Sequence, residues 1–326
     1  MHGLIATVAG SFRPKSAKLW LRYDRGIILG GTPKATGTLP PVVTFTATDG
    51  GALSTLGQRC IRVEIQTTGI RGTATFRASF DDGPTFVVTG AVTAATYDLP
   101  SSNVRLNFPV GAYTNDDVYR ATVATWKNQG TTGSTHDFTQ ATASLQPVST
   151  PNGPDFDGVD DYMTSTGALS GIIKNNAYTG FFVGYERTFS NAATSYANDA
   201  IITDSGAYFM WGAKDPGTKS SIIANYTGTQ HQAYATALVA SQFDLMEFRH
   251  SGGVLYTRIG NQTEASAASG NTQVLTGTLT IGAVYDHATN FWDGVFKELL
   301  VHDSVLDTTL WNACRQYMAR QHGVTV

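Results

Sequence analysis

Apolar residues recur at every second position in short runs through most of this chain, and each run ends in turn residues. A period of two places successive side chains on opposite faces of a strand. In "CIRVEI" (60–65), Ile61, Val63 and Ile65 share one face and Arg62 and Glu64 the other. "TATFRASF" (73–80) sets Phe76 and Phe80 apart from Arg77 in the same way. Helical periodicity cannot produce this pattern, so the chain must be built from many short strands.

Three regions follow. Residues 1–40 are dense in Gly, Pro and Thr, as in "GIILGGTPKATGTLPPV", and read as an extended arm that orders only against something else. The basic stretch "RPKSAKLWLRYDR" (13–25) within it reads as a short solvated charge run. Residues 41–123 hold about six strand-like runs separated by "TGIRG", "DDGP", "LPSSN" and "TNDD", which predicts a small antiparallel β-sandwich. Residues 124–326 carry a second series, including "TGFFVGYERTF" (179–189), "FDLMEFRHSGG" (243–253) and "VLYTRIGNQ" (254–262). Ser251-Gly252-Gly253 supplies a tight hairpin turn between the last two.

One helix is expected, at the end. Asp307 is a good N-cap, Leu310, Trp311, Cys314, Tyr317 and Met318 form one apolar stripe, and Gly323 suits the position after the last turn. The predicted class is all-β: a small antiparallel sandwich, a larger two-layer β domain and one C-terminal helix lying on it.

Composition narrows the function. Charged residues make up 14% and the net charge is −3, so no broad attraction to nucleic acid is expected. The solvent face must be largely neutral and polar. No stretch approaches a membrane span, and "MHGLIATVAGSFRPK" makes a poor secretion signal. Cys60 and Cys314, the only cysteines, exclude a disulfide framework and read as buried thiols.

"FDGVDDYM" (156–163) gathers acidic groups. Phe156 is expected to face the core, and Asp157-Gly158 to form a turn whose carboxylate bonds backbone amides. Asp157, Asp160 and Asp161 also offer part of the oxygen set that Ca2+ needs. The structural turn is the preferred reading and Ca2+ the alternative.

Three blocks in order, "WKNQGTTGSTHDFTQATASLQP" (126–147), "NGPDFDGVDDYM" (152–163) and "LTIGAVYDHATNFWDGVFKELLVHDSVLDTTLWNACRQYMARQHGV" (279–324), resemble the concanavalin A-like, laminin-G-like jelly-roll domains. The resemblance covers about 200 residues and implies a jelly roll over 124–326, with Trp292 and Trp311 buried. Members bind glycans or proteins, or serve as passive modules. The region around "GTATFRASFDDGPTF" looks like small β domains of tailed-bacteriophage virion proteins.

Catalysis is not expected. Jelly-roll glucanases carry Glu-x-Asp-x-x-Glu on one strand, whereas Glu186, Glu247 and Glu298 stand alone here, and no zinc, serine-elbow or nucleotide motif occurs. For glycan contact the best local candidates are Tyr208, Trp211 and Asp215 in "YFMWGAKDPGTK", with "NYTGTQHQAY" (225–234) second. The expected function is that of a bacteriophage virion structural protein: capsid decoration, fibre or tail attachment. The arm and small sandwich would hold it to other virion proteins as a homo-oligomer, and the jelly roll would face host-surface glycan. The alternatives are a bacterial carbohydrate-binding or adhesive module and, third, a glycoside hydrolase.

Overall fold

A computed structural model of the chain describes residues 14–326 except 15, 38–40, 52, 54–59, 174–176, 188–198, 205–208, 215–218, 227–229, 237–238, 270–276, 284–286 and 289–290; between 199 and 236, side chains are described only at 201–204, 233 and 235. The described chain is all-β and antiparallel throughout, with one α-helix, Thr308–His322, and three short 3-10 turns.

The alternating runs form the strands their pattern requires. In the small unit, Lys34–Thr36, Val118–Arg120, Arg62–Thr67, Thr75–Ser79 and Phe86–Val92 make a five-stranded sheet in that order. Thr44–Ala47, Val104–Asn107 and Thr96–Asp98 make a three-stranded one. Ile61, Val63 and Ile65 point into the core with Phe45, Phe76, Leu106 and Phe108. On the opposite face Glu64 accepts from Arg62 at 2.8 Å and is also paired with Arg77.

The large unit is a sandwich of an eight-stranded and a nine-stranded sheet. Tyr178–Glu186 is central to the first, between Asp293–His302 and Asp244–Ser251. It is buried on both faces, which explains its unbroken apolar run. Phe182 packs inward with Phe296 and Trp292, whereas Phe181 and Val183 point outward to the helix. Strand Asp293–His302 keeps the same division by a bulge at Lys297: Val183 is opposite Glu298, but Gly184 is opposite Phe296. Phe296, Leu299 and Val301 then face the sandwich core, and Glu298 and Leu300 face the helix. Trp126 from the nine-stranded sheet meets Phe296 at 5.1 Å, closing the two layers on each other.

The helix forms as its sequence requires. Asp307 accepts from the Leu310 amide at 2.9 Å, and Gly323 takes the left-handed conformation with φ 70°. Trp311, Cys314 and Met318 cover the outer face of the eight-stranded sheet, where they build a second core with Trp20, Phe181, Val183 and Leu245. The hairpin turn at Gly252 and Gly253 has φ 58° and 78°, as a two-residue turn with right-handed twist demands.

The N-terminal segment is more than an arm. Its described residues form three strands, each added to a different sheet. Leu19–Arg22 pairs with Asp293–His302, Ile27–Leu29 with Val123–Trp126, and Lys34–Thr36 with Val118–Arg120. What orders the segment is therefore the rest of the same chain. Leu19 and Leu21 enter the sandwich core, while Trp20 and Arg22 turn toward the helix. Arg22, expected in a solvated run, is only 7% exposed. One apolar cluster runs continuously through both units.

Candidate functional site

The octet 156–163 is a turn held by its own aspartates. Strand Gly153–Asp157 brings the chain in, Gly158 takes φ 73°, and Met163–Ala168 leads away. Phe156 is fully buried against Trp292. Asp157 Oδ1 accepts the Val159 amide at 2.9 Å and the Asp160 amide at 3.3 Å, and Asp161 Oδ2 accepts the Asp157 amide at 3.2 Å. The acidic oxygens of Asp157, Asp160 and Asp161 converge to within 4.8 Å of one another.

The charge at their centre comes from the N-terminal segment. Lys34 Nζ lies 2.9 Å from Asp157 Oδ2, 4.0 Å from Asp160 Oδ1, and in direct contact with Asp161 Oδ1. Burial pushes the Asp161 carboxyl up to about 7, against the pull of Lys34. Burial acts on Asp157 in the same sense, but the Val159 amide and Lys34 outweigh it and hold that group below its ordinary value. The Lys34 ammonium already supplies the positive charge at the centre of the three aspartates, so a metal ion would fit there only with Lys34 withdrawn. Nothing in the sequence linked Lys34 to this turn; only the structure shows that Asp161 is wholly buried and that Lys34 reaches it.

Beside this turn lies a cleft of ≈ 340 Å³ between the two units, lined mainly by charged side chains. Arg187 donates to Asp293 Oδ1 at 2.6 Å, to the Phe156 carbonyl at 3.2 Å, and to Asp155. In the same lining, Arg120 bonds Asp82 Oδ1 at 3.0 Å, and Val148 and Thr150 complete it. Burial lifts Asp155 above its usual range, opposed by Arg187. Strand Gly153–Asp157 pairs with Asp293–His302 so that Asp155 and Asp157 stand on one side and Phe156 on the other. Each carboxylate in this wall already faces a cation. The cleft therefore presents hydrogen-bonding edges from both carboxylates and guanidinium groups.

The lone glutamates are structural supports where their partners are described. Glu298, fully buried, accepts from the Trp20 indole at 2.6 Å and the Tyr317 hydroxyl at 3.0 Å, and its other oxygen meets His322 Nε2 at 2.6 Å. Glu247, also fully buried, accepts from Arg315 Nε at 2.6 Å and from Arg258 at 3.3 and 3.4 Å. Both join the eight-stranded sheet to elements packed on it. Glu186 is buried at the end of its strand. Cys60 and Cys314 are buried, and burial raises both thiols to about 12, so neither is a nucleophile at neutral pH.

Of the glycan-contact candidates, Tyr208 and Asp215 lie outside the described residues, as does the side chain of Trp211, whose backbone belongs to strand Phe209–Lys214. The second candidate stretch, 225–234, is described in backbone only at 225–226 and 230–234. Trp292 and Trp311 are buried, as the closing block implied. No described helix is long and apolar enough to cross a membrane.

No protein-family model matches the chain, and no curated protein matches it. Among solved structures, it is similar to the NanB sialidase of Streptococcus pneumoniae, at 11% identity and TM-score 0.38, over 48% of this chain and 26% of that one. It is similar to the CBM40 of the Ruminococcus gnavus IT-sialidase, at 12% identity and TM-score 0.35, over 49% of this chain and 96% of the module. It is also similar to domains LG4-5 of the mouse laminin alpha1 chain, at 11% identity and TM-score 0.33, over 90% of each chain. The matched part spans about a quarter of the sialidase. The all-β class stands on the chain's own antiparallel sheets and single helix.

Proposed function

We propose that the protein is a presented β-sandwich module that binds glycan without turning it over, using the cleft between its two units. One observation carries the reading. The cleft's carboxylates Asp155 and Asp293 are both tied to Arg187, and Asp82 to Arg120. A wall of paired carboxylates and guanidinium groups matches sugar hydroxyls, which both donate and accept. Glycoside hydrolysis instead needs one carboxyl kept protonated as an acid and a second as base or nucleophile. Here Arg187 bridges Asp155 and Asp293, so both carboxylates share one guanidinium and neither stands alone.

The carrier we propose is a tailed-phage particle, in which this chain is a decoration, fibre or tail-attachment subunit, as a homo-oligomer. The neutral polar composition, with 14% charged residues, supports it. Co-purification with particles tests that part.

Binding is tested on a glycan array with the wild type and Arg187→Met. Saturable binding that Arg187→Met weakens by tenfold or more, roughly the loss of one charged hydrogen-bonding group, upholds the reading. Binding unaffected by Arg187→Met and by Arg120→Met moves the site elsewhere.

A further inference from the structure

A second cleft, of ≈ 260 Å³, opens where the first turns of the C-terminal helix meet strands Asp244–Ser251 and Val254–Ile259. Arg249, Arg258 and Arg315 line it, with Glu264, Trp311 and Asn312. Each guanidinium is held by a partner on one edge. Arg249 gives Nε and Nη2 to Glu264 at 3.1 and 2.5 Å, and Arg258 gives the same two nitrogens to Glu247. Arg315 gives Nε to Glu247 and Nη2 to the Gly260 carbonyl at 2.7 Å. Aromatic rings hold the faces: Arg249 lies 3.9 Å from the Tyr256 ring centre and 5.3 Å from that of Trp311, and Arg258 lies 5.8 Å from Trp311.

This leaves Nη1 of all three arginines without a hydrogen bond to any described residue, while none is a buried orphan. Three guanidinium groups face two carboxylates, Glu247 and Glu264, so one positive charge is uncompensated. Asp307 lies just beyond, where its carboxylate caps the Leu310 amide.

We propose that this cleft is a binding site for an oxyanion carried by a ligand, either the carboxylate of an acidic sugar or a sulfate or phosphate ester. Arginine matches planar and tetrahedral oxyanions through paired donors, and a donor already held in place loses little entropy on binding. The positive end of the helix adds to the field. The fold itself does not require the third arginine: Arg315 alone provides Glu247 with a short bond, and Arg258 stands at 3.3 Å or more.

The test titrates the full chain with glucuronate, inorganic sulfate and glucose at low ionic strength, read by calorimetry and by the Trp311 indole resonance. Glucuronate or sulfate saturates the site and glucose does not. Arg258→Gln weakens binding by about tenfold. Glu264→Gln removes the anion that competes for Arg249 and tightens binding several-fold, a gain that misfolding cannot imitate. Preference for glucuronate assigns a sugar acid and preference for sulfate assigns an ester; both uphold the site. Absence of saturation by either anion, an equal response of the Trp311 resonance to glucose, or affinities unchanged in both variants overturns it. Arg187→Met, which disables the other cleft, leaves the anion response intact, so failure of one site is distinguishable from failure of the other.

Discussion

Glu298 and Asp161 are both wholly buried acids tied to the N-terminal segment, but their surroundings differ. Glu298 sits in a buried seam between Leu19–Arg22, Asp293–His302 and the helix, where Trp20, Tyr317 and His322 bond its two oxygens and the Arg22 guanidinium lies 3.9 Å away. Asp161 sits under a surface turn and depends on one cation, Lys34, whose side chain is 23% exposed. Burial penalises a charge unless partners replace the lost water. At Glu298 several donors meet that demand at once. At Asp161 the demand is met by Lys34 and one backbone amide, and burial lifts the carboxyl to about 7. The first seam rests on several partners, and the second on one cation and one amide.

Breaking the first joint has the largest effect. Glu298→Ala strands the Trp20 and Tyr317 donors and leaves Arg22 beside an emptied site, and should cost about 3–5 kcal/mol in urea unfolding. Glu298→Gln, which keeps an acceptor, should cost visibly less. Equal and small losses in both would mean that the seam is not what holds the helix and first strand to the sheet.

The second joint is distinguished by its pH dependence. A carboxyl raised to about 7 when folded holds a proton that the unfolded chain has released above about pH 4. Its stabilising contribution is complete below about pH 4 and is lost as pH rises through 7. Lys34→Met should therefore cost about 1 kcal/mol at pH 5, where Asp161 is protonated, and about 3 kcal/mol at pH 8, where a buried charge loses its counter-ion. Asp161→Asn should remove that slope. A Lys34→Met penalty independent of pH would contradict the assignment.

The smallest effect is local. Asp307→Ala removes one cap bond and should lower stability by about 1 kcal/mol without changing the response to pH between 5 and 8.

The comparison also marks what the sequence makes legible. The helix was readable to its ends, because Asp307, the apolar stripe and Gly323 are local signals. The strands of the small unit were readable from alternation, although the short pairs Thr96–Asp98 and Ala112–Tyr113 lack enough residues to display a period. The destination of residues 19–36 was not readable. Trp20 pairs with Leu300, and no local pattern encodes a partner that distant. The same limit hid both clefts: Arg187 joins Asp155 and Asp293 from different strands, and Arg315 reaches Glu247 from the helix. The aspartates of the octet were visible as a cluster, but the lysine that completes it lies in a Gly- and Pro-rich stretch that reads as loop.

We propose that the chain holds glycan in a cleft whose acids are all committed to cations. This is tested most directly by recovering a bound glycan after prolonged incubation with the wild type and with Asp155→Asn and Asp293→Asn. The ligand should be recovered intact in every case, with weaker retention in the variants. Shortened products from the wild type, absent with either variant, would contradict it.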